Sequence, residues 1–96
     1  MANTALTAAN EFCSYHQIDV TLITAFYDAG LIQLTVVDQH YFIPQEQLPG
    51  VERLVRLHNE LGINIEGLEA ITHLLDRMHD LKQEVQLLRN RLSVYE

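Results

Sequence analysis

Tryptophan is absent from these 96 residues, cysteine occurs once, proline twice and glycine four times. The single cysteine, Cys13, cannot close an internal disulfide, so no covalent cross-link supplements the core. Gly30, Gly50, Gly62 and Gly67 stand apart from one another, and none builds the glycine-rich turn that cradles a phosphate or forms an oxyanion hole. No apolar run approaches the ~20 residues that span a bilayer. The opening MANTALTAAN has neither the basic region nor the apolar stretch of a signal peptide. A soluble, cytoplasmic protein is expected.

Positive charge is missing from the first half. All six basic residues, Arg53, Arg56, Arg77, Lys82, Arg89 and Arg91, follow position 52, whereas residues 1–52 carry six acids: Glu11, Asp19, Asp28, Asp38, Glu46 and Glu52. The net charge is −7, of which −6 lies in residues 1–52. Non-specific attraction to nucleic acid or to an anionic membrane begins with Lys and Arg meeting phosphates, so neither partner is expected. The favoured electrostatic partner is basic.

What is present is helical punctuation. Thr7 reads as the N-cap of a short helix ending near Gln17, with Ala8, Phe12 and Tyr15 on one face. Asp19 reads as a second N-cap, followed by Val20, Ile23, Phe26 and Tyr27 on one face and closed by Gly30. Two short helices so closely joined make a helix-turn-helix pattern. The stretches LIQLTVV and HYFI are rich in β-branched and aromatic residues and flank Asp38-Gln39, which predicts a hairpin whose second strand ends at Pro44. A third helix is expected to start among Gln45 to Leu48, with Pro49 in its first turn and Leu54, Leu57 and Leu61 as its stripe, and to end at Gly62.

Asn64 can cap a last helix running from Ile65 to Tyr95. Along it Ile71, Leu74, Met78, Leu81, Val85, Leu88, Leu92 and Tyr95 recur at alternating steps of three and four, an a/d heptad seam. The seam outruns what so small a domain can cover, so a homodimeric coiled coil, or a groove for a partner helix, is expected. The chain thus divides into a winged helix-turn-helix unit at 1–63 and a helical extension with a coiled-coil seam at 64–96. The fold class is mainly α with a short β-hairpin.

Residues able to carry chemistry are few. Cys13 and His16 can share a helix face, but two ligands do not complete a structural zinc site. His73 and His79 fall on different helix faces. Nucleophilic catalysis needs an activating base oriented by a third group, and only Cys13 near His16 comes close. A non-enzymatic protein without cofactor or metal is expected. In the second helix Thr21, Thr24, Ala25 and Asp28 point outward, and the hairpin offers Gln33, Asp38, Gln39 and His40. A DNA-reading helix needs donors toward base edges and surrounding cations, which this set lacks.

The order of elements resembles the winged-helix module of MerR-type regulators, carried by DVTLITAFYDAGLI, YFIPQEQLPGVERLVRLHNELGI and NIEGLEAITHLL. Those regulators carry arginine and tyrosine where Thr24, Ala25 and Phe26 stand, and a basic wing where Asp38-Gln39-His40 stands. A closer resemblance is to the chaperone-modulator family CbpM, through NEFCSYHQI, AGLI, LVRLHNELGINIEGLEAI and HDLKQEVQLLRNRLSVYE. It implies a small protein that binds and inhibits the J-domain of a CbpA/DnaJ-like co-chaperone. Charge and expected exposure then nominate Asp28, Asp38, Glu46 and Glu52 as partner-binding acids, with Tyr27 and Tyr41 as aromatic anchors. The alternative is a DNA-binding MerR-like transcriptional regulator whose cations come from Arg53, Arg56 and a dimer partner.

Overall fold

The computed structural model describes residues 5–95. Two helices, α1 at Ala9–His16 and α2 at Val20–Asp28, follow a short strand β1 at Leu6–Ala8. Strands β2 at Thr35–Val37 and β3 at His40–Pro44 come next, then a 3-10 turn at Gln45–Gln47. Helices α3 at Leu48–Leu61 and α4 at Ile65–Val94 complete the chain. The fold is a helix-turn-helix with a β wing and a long terminal helix, as the residue pattern predicts.

Capping chemistry decides where the helices begin and end. The Asp19 carboxylate accepts a 3.0 Å bond from the Thr21 N–H, and the Asn64 side chain accepts a 2.8 Å bond from the Gly67 N–H, so both expected N-caps satisfy otherwise unpaired donors. Gly62, at φ +65, supplies the left-handed turn that ends α3, and its N–H donates to the Leu57 carbonyl. A 2.8 Å hydrogen bond from His58 Nδ1 to the Ile63 carbonyl braces the same corner.

Thr7 does not cap α1. It sits in β1, opposite Ile43, and Ala8 precedes the helix without a side-chain cap. The sheet has the order β1-β3-β2, with both outer strands antiparallel to β3. The β1 strand is only three residues long and is held by pairing with a distant segment, extended by the Gln45 N–H donating to the Ala5 carbonyl at 2.9 Å. The expected first hairpin strand also shortens, because Leu31 to Leu34 lie outside β2. In that stretch the Gln33 N–H donates to the Gln47 side-chain oxygen, so a loop bond replaces a ladder.

The core gathers Phe12 and Cys13 from α1, Ile23 and Phe26 from α2, Ile43 from β3, Val51, Leu54 and Val55 from α3, and Leu68 from α4. Full burial of each large aliphatic or aromatic side chain stabilises by about 1.5–3 kcal/mol. Two expected apolar positions turn outward: Tyr15 is 84% exposed and Leu61 67%. The inward face of α1 is therefore Ala9, Phe12 and Cys13, and that of α3 is Val51, Leu54 and Val55, each set meeting neighbours that only the tertiary fold supplies.

The first turns of α4 belong to this body through Leu68, and Ile71 and Leu75 line a groove with Leu54 and Leu57 of α3. Beyond that groove the helix stands free. Its 30 residues extend about 45 Å at ~1.5 Å per residue, and the chain measures 56 Å along its longest axis.

Candidate protein-binding surfaces

The helix-turn-helix offers no cation to a phosphate. Thr21 and Asp28 are exposed on α2, Thr24 and Ala25 are half-buried, and Thr24 turns its hydroxyl back to the Thr21 carbonyl at 3.0 Å. At the wing tip Asp38 and Gln39 have φ of 50° and 66°. A two-residue connection with both φ values positive matches the hairpin turn whose twist fits the flanking strands. The turn presents Asp38 as an exposed acid.

Tyr27 and Tyr41 come together. Tyr27 leaves the last turn of α2, Tyr41 leaves β3 opposite Val36, and their ring centroids lie 6.1 Å apart at 60°. Each tyrosine is 39% exposed, and Val36, paired with Tyr41, is also exposed. They form an apolar patch joining the second helix to the wing, flanked in sequence by Asp28 and by the turn acid Asp38. Tyr27 is thus not a core residue of α2, although it follows Val20, Ile23 and Phe26 at helical spacing.

Glu46 and Glu52 stand elsewhere. Glu46 is exposed on the 3-10 turn. Glu52 lies on α3 and lines a groove against α1, together with Thr7, Glu11, Phe12, Tyr15, His16 and Leu48. Tyr15 and Glu11, which the residue pattern did not single out as contacts, belong to this second surface. The signal was there in the i, i+4 pairs Glu11/Tyr15 and Phe12/His16. Only the placement of α3 turns it into a groove.

Among the described residues no group of three His, Cys, Asp or Glu side chains could share a metal ion. Cys13 is buried, and loss of solvent, followed by the nearby Asp19 carboxylate, raises its thiol above its ordinary range, which disfavours the nucleophilic thiolate. His16 packs its ring on Phe12 at 4.2 Å and meets Tyr15 edge-on at 5.0 Å. Asp19 is shifted the other way: hydrogen bonds from Thr21, the backbone N–H first, hold its carboxyl below the usual carboxylate range.

The third surface is the free part of α4. Leu74, Met78, Leu81, Val85, Leu88 and Leu92 are 46–64% exposed, and Tyr95 ends the same seam in water. Ile71 alone of the eight seam residues is half-buried, against the α3 side of the body. No described helix is long and apolar enough to cross a membrane.

Comparison with known proteins returns one consistent likeness. The model of the MerR HTH family regulatory proteins matches residues 7–90. The chaperone modulatory protein CbpM of Escherichia coli O1:K1 is 30% identical over 97% of this chain and 94% of its own length. The CbpM proteins of Escherichia coli O139:H28 (strain E24377A) and O9:H4 (strain HS) match with the same identity and coverage.

Proposed function

Because the chain belongs to the MerR helix-turn-helix regulatory family and, within it, to the CbpM chaperone modulatory proteins, we propose that it is a non-enzymatic modulator of a chaperone system. Its partner is the J-domain of a CbpA/DnaJ-like co-chaperone. It binds that domain on the basic helix presented to DnaK, masking a surface that DnaK needs.

The observation that carries this reading is a DNA-reading scaffold without DNA-reading charge. Residues 1–52 hold six acids and no lysine or arginine, and Asp28 and Asp38 stand exposed where a phosphate-binding module needs cations. The exposed Tyr27–Tyr41 patch, flanked in sequence by Asp28 and Asp38, suits a basic helix. Opposite charge speeds encounter and fixes register, while the aromatic rings supply buried area. The α4 seam adds a second copy of the chain, since an exposed a/d stripe of this length gains stability by pairing with another like it.

Calorimetric titration with a CbpA-type J-domain at low and high salt tests the reading. Saturable binding that weakens as salt rises is expected. Absence of binding, with retardation of duplex DNA in a parallel shift assay, would instead assign the chain to DNA-binding regulation through Arg53 and Arg56. The double variant Asp28→Lys/Asp38→Lys separates the two in one step: it weakens a J-domain complex and leaves or improves DNA affinity.

A further inference from the structure

We propose that the groove between α1 and the first turns of α3 receives a lysine or arginine side chain from a basic helix of a protein partner. It is a contact site separate from the tyrosine patch at the wing. Two side-chain pairs from α1, Glu11/Tyr15 and Phe12/His16, face one pair from α3, Leu48/Glu52, each pair spaced one helical turn apart. The groove has a volume of about 340 Å³ and is broadly open to solvent.

The chemistry of the walls selects the occupant. Phe12 and Leu48 make an apolar floor for the methylene stem of a long side chain, and Tyr15 presents a ring whose face attracts a cation. Glu11 and Glu52 place carboxylates at the rim, and no lysine or arginine lines the groove. The groove also meets the last turn of α1 at Tyr15 and His16, the negative end of the helix dipole. A guanidinium satisfies all of these at once: it stacks on an aromatic face while donating to carboxylates. An anion or an aliphatic side chain meets repulsion or leaves the carboxylates unpaired.

Exposure marks this groove as unfinished. Tyr15 is 84% exposed, more than any other large hydrophobic residue described ahead of α4. An aromatic ring held in water by a short helix, beside two carboxylates and above a buried phenylalanine, is the arrangement expected of an anchor awaiting its counterpart.

The inference rests on the modulator reading only in taking the partner to be a protein with a basic helix. The probe is a synthetic helical peptide with arginines one turn apart, compared with the same peptide bearing norleucine there. It is titrated by amide-resolved NMR into the wild-type chain, Tyr15→Ala, Glu11→Gln/Glu52→Gln, and the charge-matched control Glu66→Gln/Glu69→Gln. Shifts centred on Glu11, Tyr15, Leu48 and Glu52 are expected, with affinity at least tenfold weaker in the first two variants and unchanged in the control. No binding of the arginine peptide, binding elsewhere, or equal affinity in all four chains overturns the proposal. A J-domain titration run beside it separates the two readings. A groove that binds peptide while the J-domain fails sinks the modulator reading alone; a J-domain complex with an unresponsive groove sinks this one alone.

Discussion

The rings of Tyr27 and Tyr41 lie 6.1 Å apart at 60°, joining the last turn of the second helix to the central strand of the wing. This separation falls within the ~4.5–7 Å over which tilted aromatic pairs attract beyond simple burial. A double-mutant cycle with Tyr27→Ala and Tyr41→Ala, read by urea unfolding, should give a coupling of about 0.5–1.5 kcal/mol. Phenylalanine at either position should retain most of it. A coupling of zero would mean that wing and helix are not held together by these rings.

The wing tip places two ordinary residues, Asp38 and Gln39, in the left-handed region. Such a conformation costs an L-residue roughly 1–2 kcal/mol, whereas glycine enters it freely. Gln39→Gly should therefore stabilise the chain by about 1 kcal/mol in denaturant melts, and Gln39→Val should destabilise it. Stabilisation by valine would contradict the turn geometry.

Charges placed on the exposed seam test how α4 is used. Val85→Asp/Leu88→Asp should yield a monomer in light scattering and reduce helical circular dichroism, while the tyrosine near-ultraviolet signal of the body persists. A wild-type chain that is already monomeric at micromolar concentration, with full helix content, would remove the second copy from the picture.

Acid should weaken the start of α2. Hydrogen bonding from Thr21 lowers the folded-state pKa of Asp19, so the carboxylate stabilises the fold fully above its ordinary unfolded value of about 3.9. That contribution fades as pH falls through the lower folded value. Asp19→Asn keeps a capping oxygen without the titration. Comparing thermal midpoints at pH 7 and pH 3 should show a smaller acid loss in the asparagine variant than in wild type.

Glycine at position 67 leaves room for two neighbouring side chains despite its poor helix propensity. A Cβ there would stand 2.7 Å from Ile63 Cγ2 and 3.1 Å from the Asn64 oxygen that caps α4. Gly67→Ala should lower the melting temperature, although alanine in an open helix position gains about 1 kcal/mol. Asn64→Ala, which removes the cap alone, should cost about 0.5–2 kcal/mol.

Elements governed by local chemistry were legible in the residues. Asp19, Asn64 and Gly62 mark helix ends through bonds made within a few positions, and Asp38-Gln39 marks the turn through its place between two β-rich runs. Strand β1 was not legible, because Leu6, Thr7 and Ala8 become a strand only by pairing with Phe42, Ile43 and Pro44 far along the chain. The same reason hid the α1–α3 groove. Periodicity placed Tyr15 on the apolar face of α1, but the outcome depends on which neighbours the tertiary fold brings to that face: Phe12 is buried there while Tyr15 stays 84% exposed.

Helix α4 continues well past the last part of the body it can lean on. A helix segment of that kind is marginal in water by itself, because propensity alone barely offsets the entropy of ordering each residue. Its order then depends on what lies along the seam, and if that neighbour is a second copy, as proposed, its supply rises with the number of chains present. On the proposed pairing of two seams, abundance would set shape as well as dose: dilution would leave a compact head with a fraying tail, and concentration would join two heads through one rigid rod.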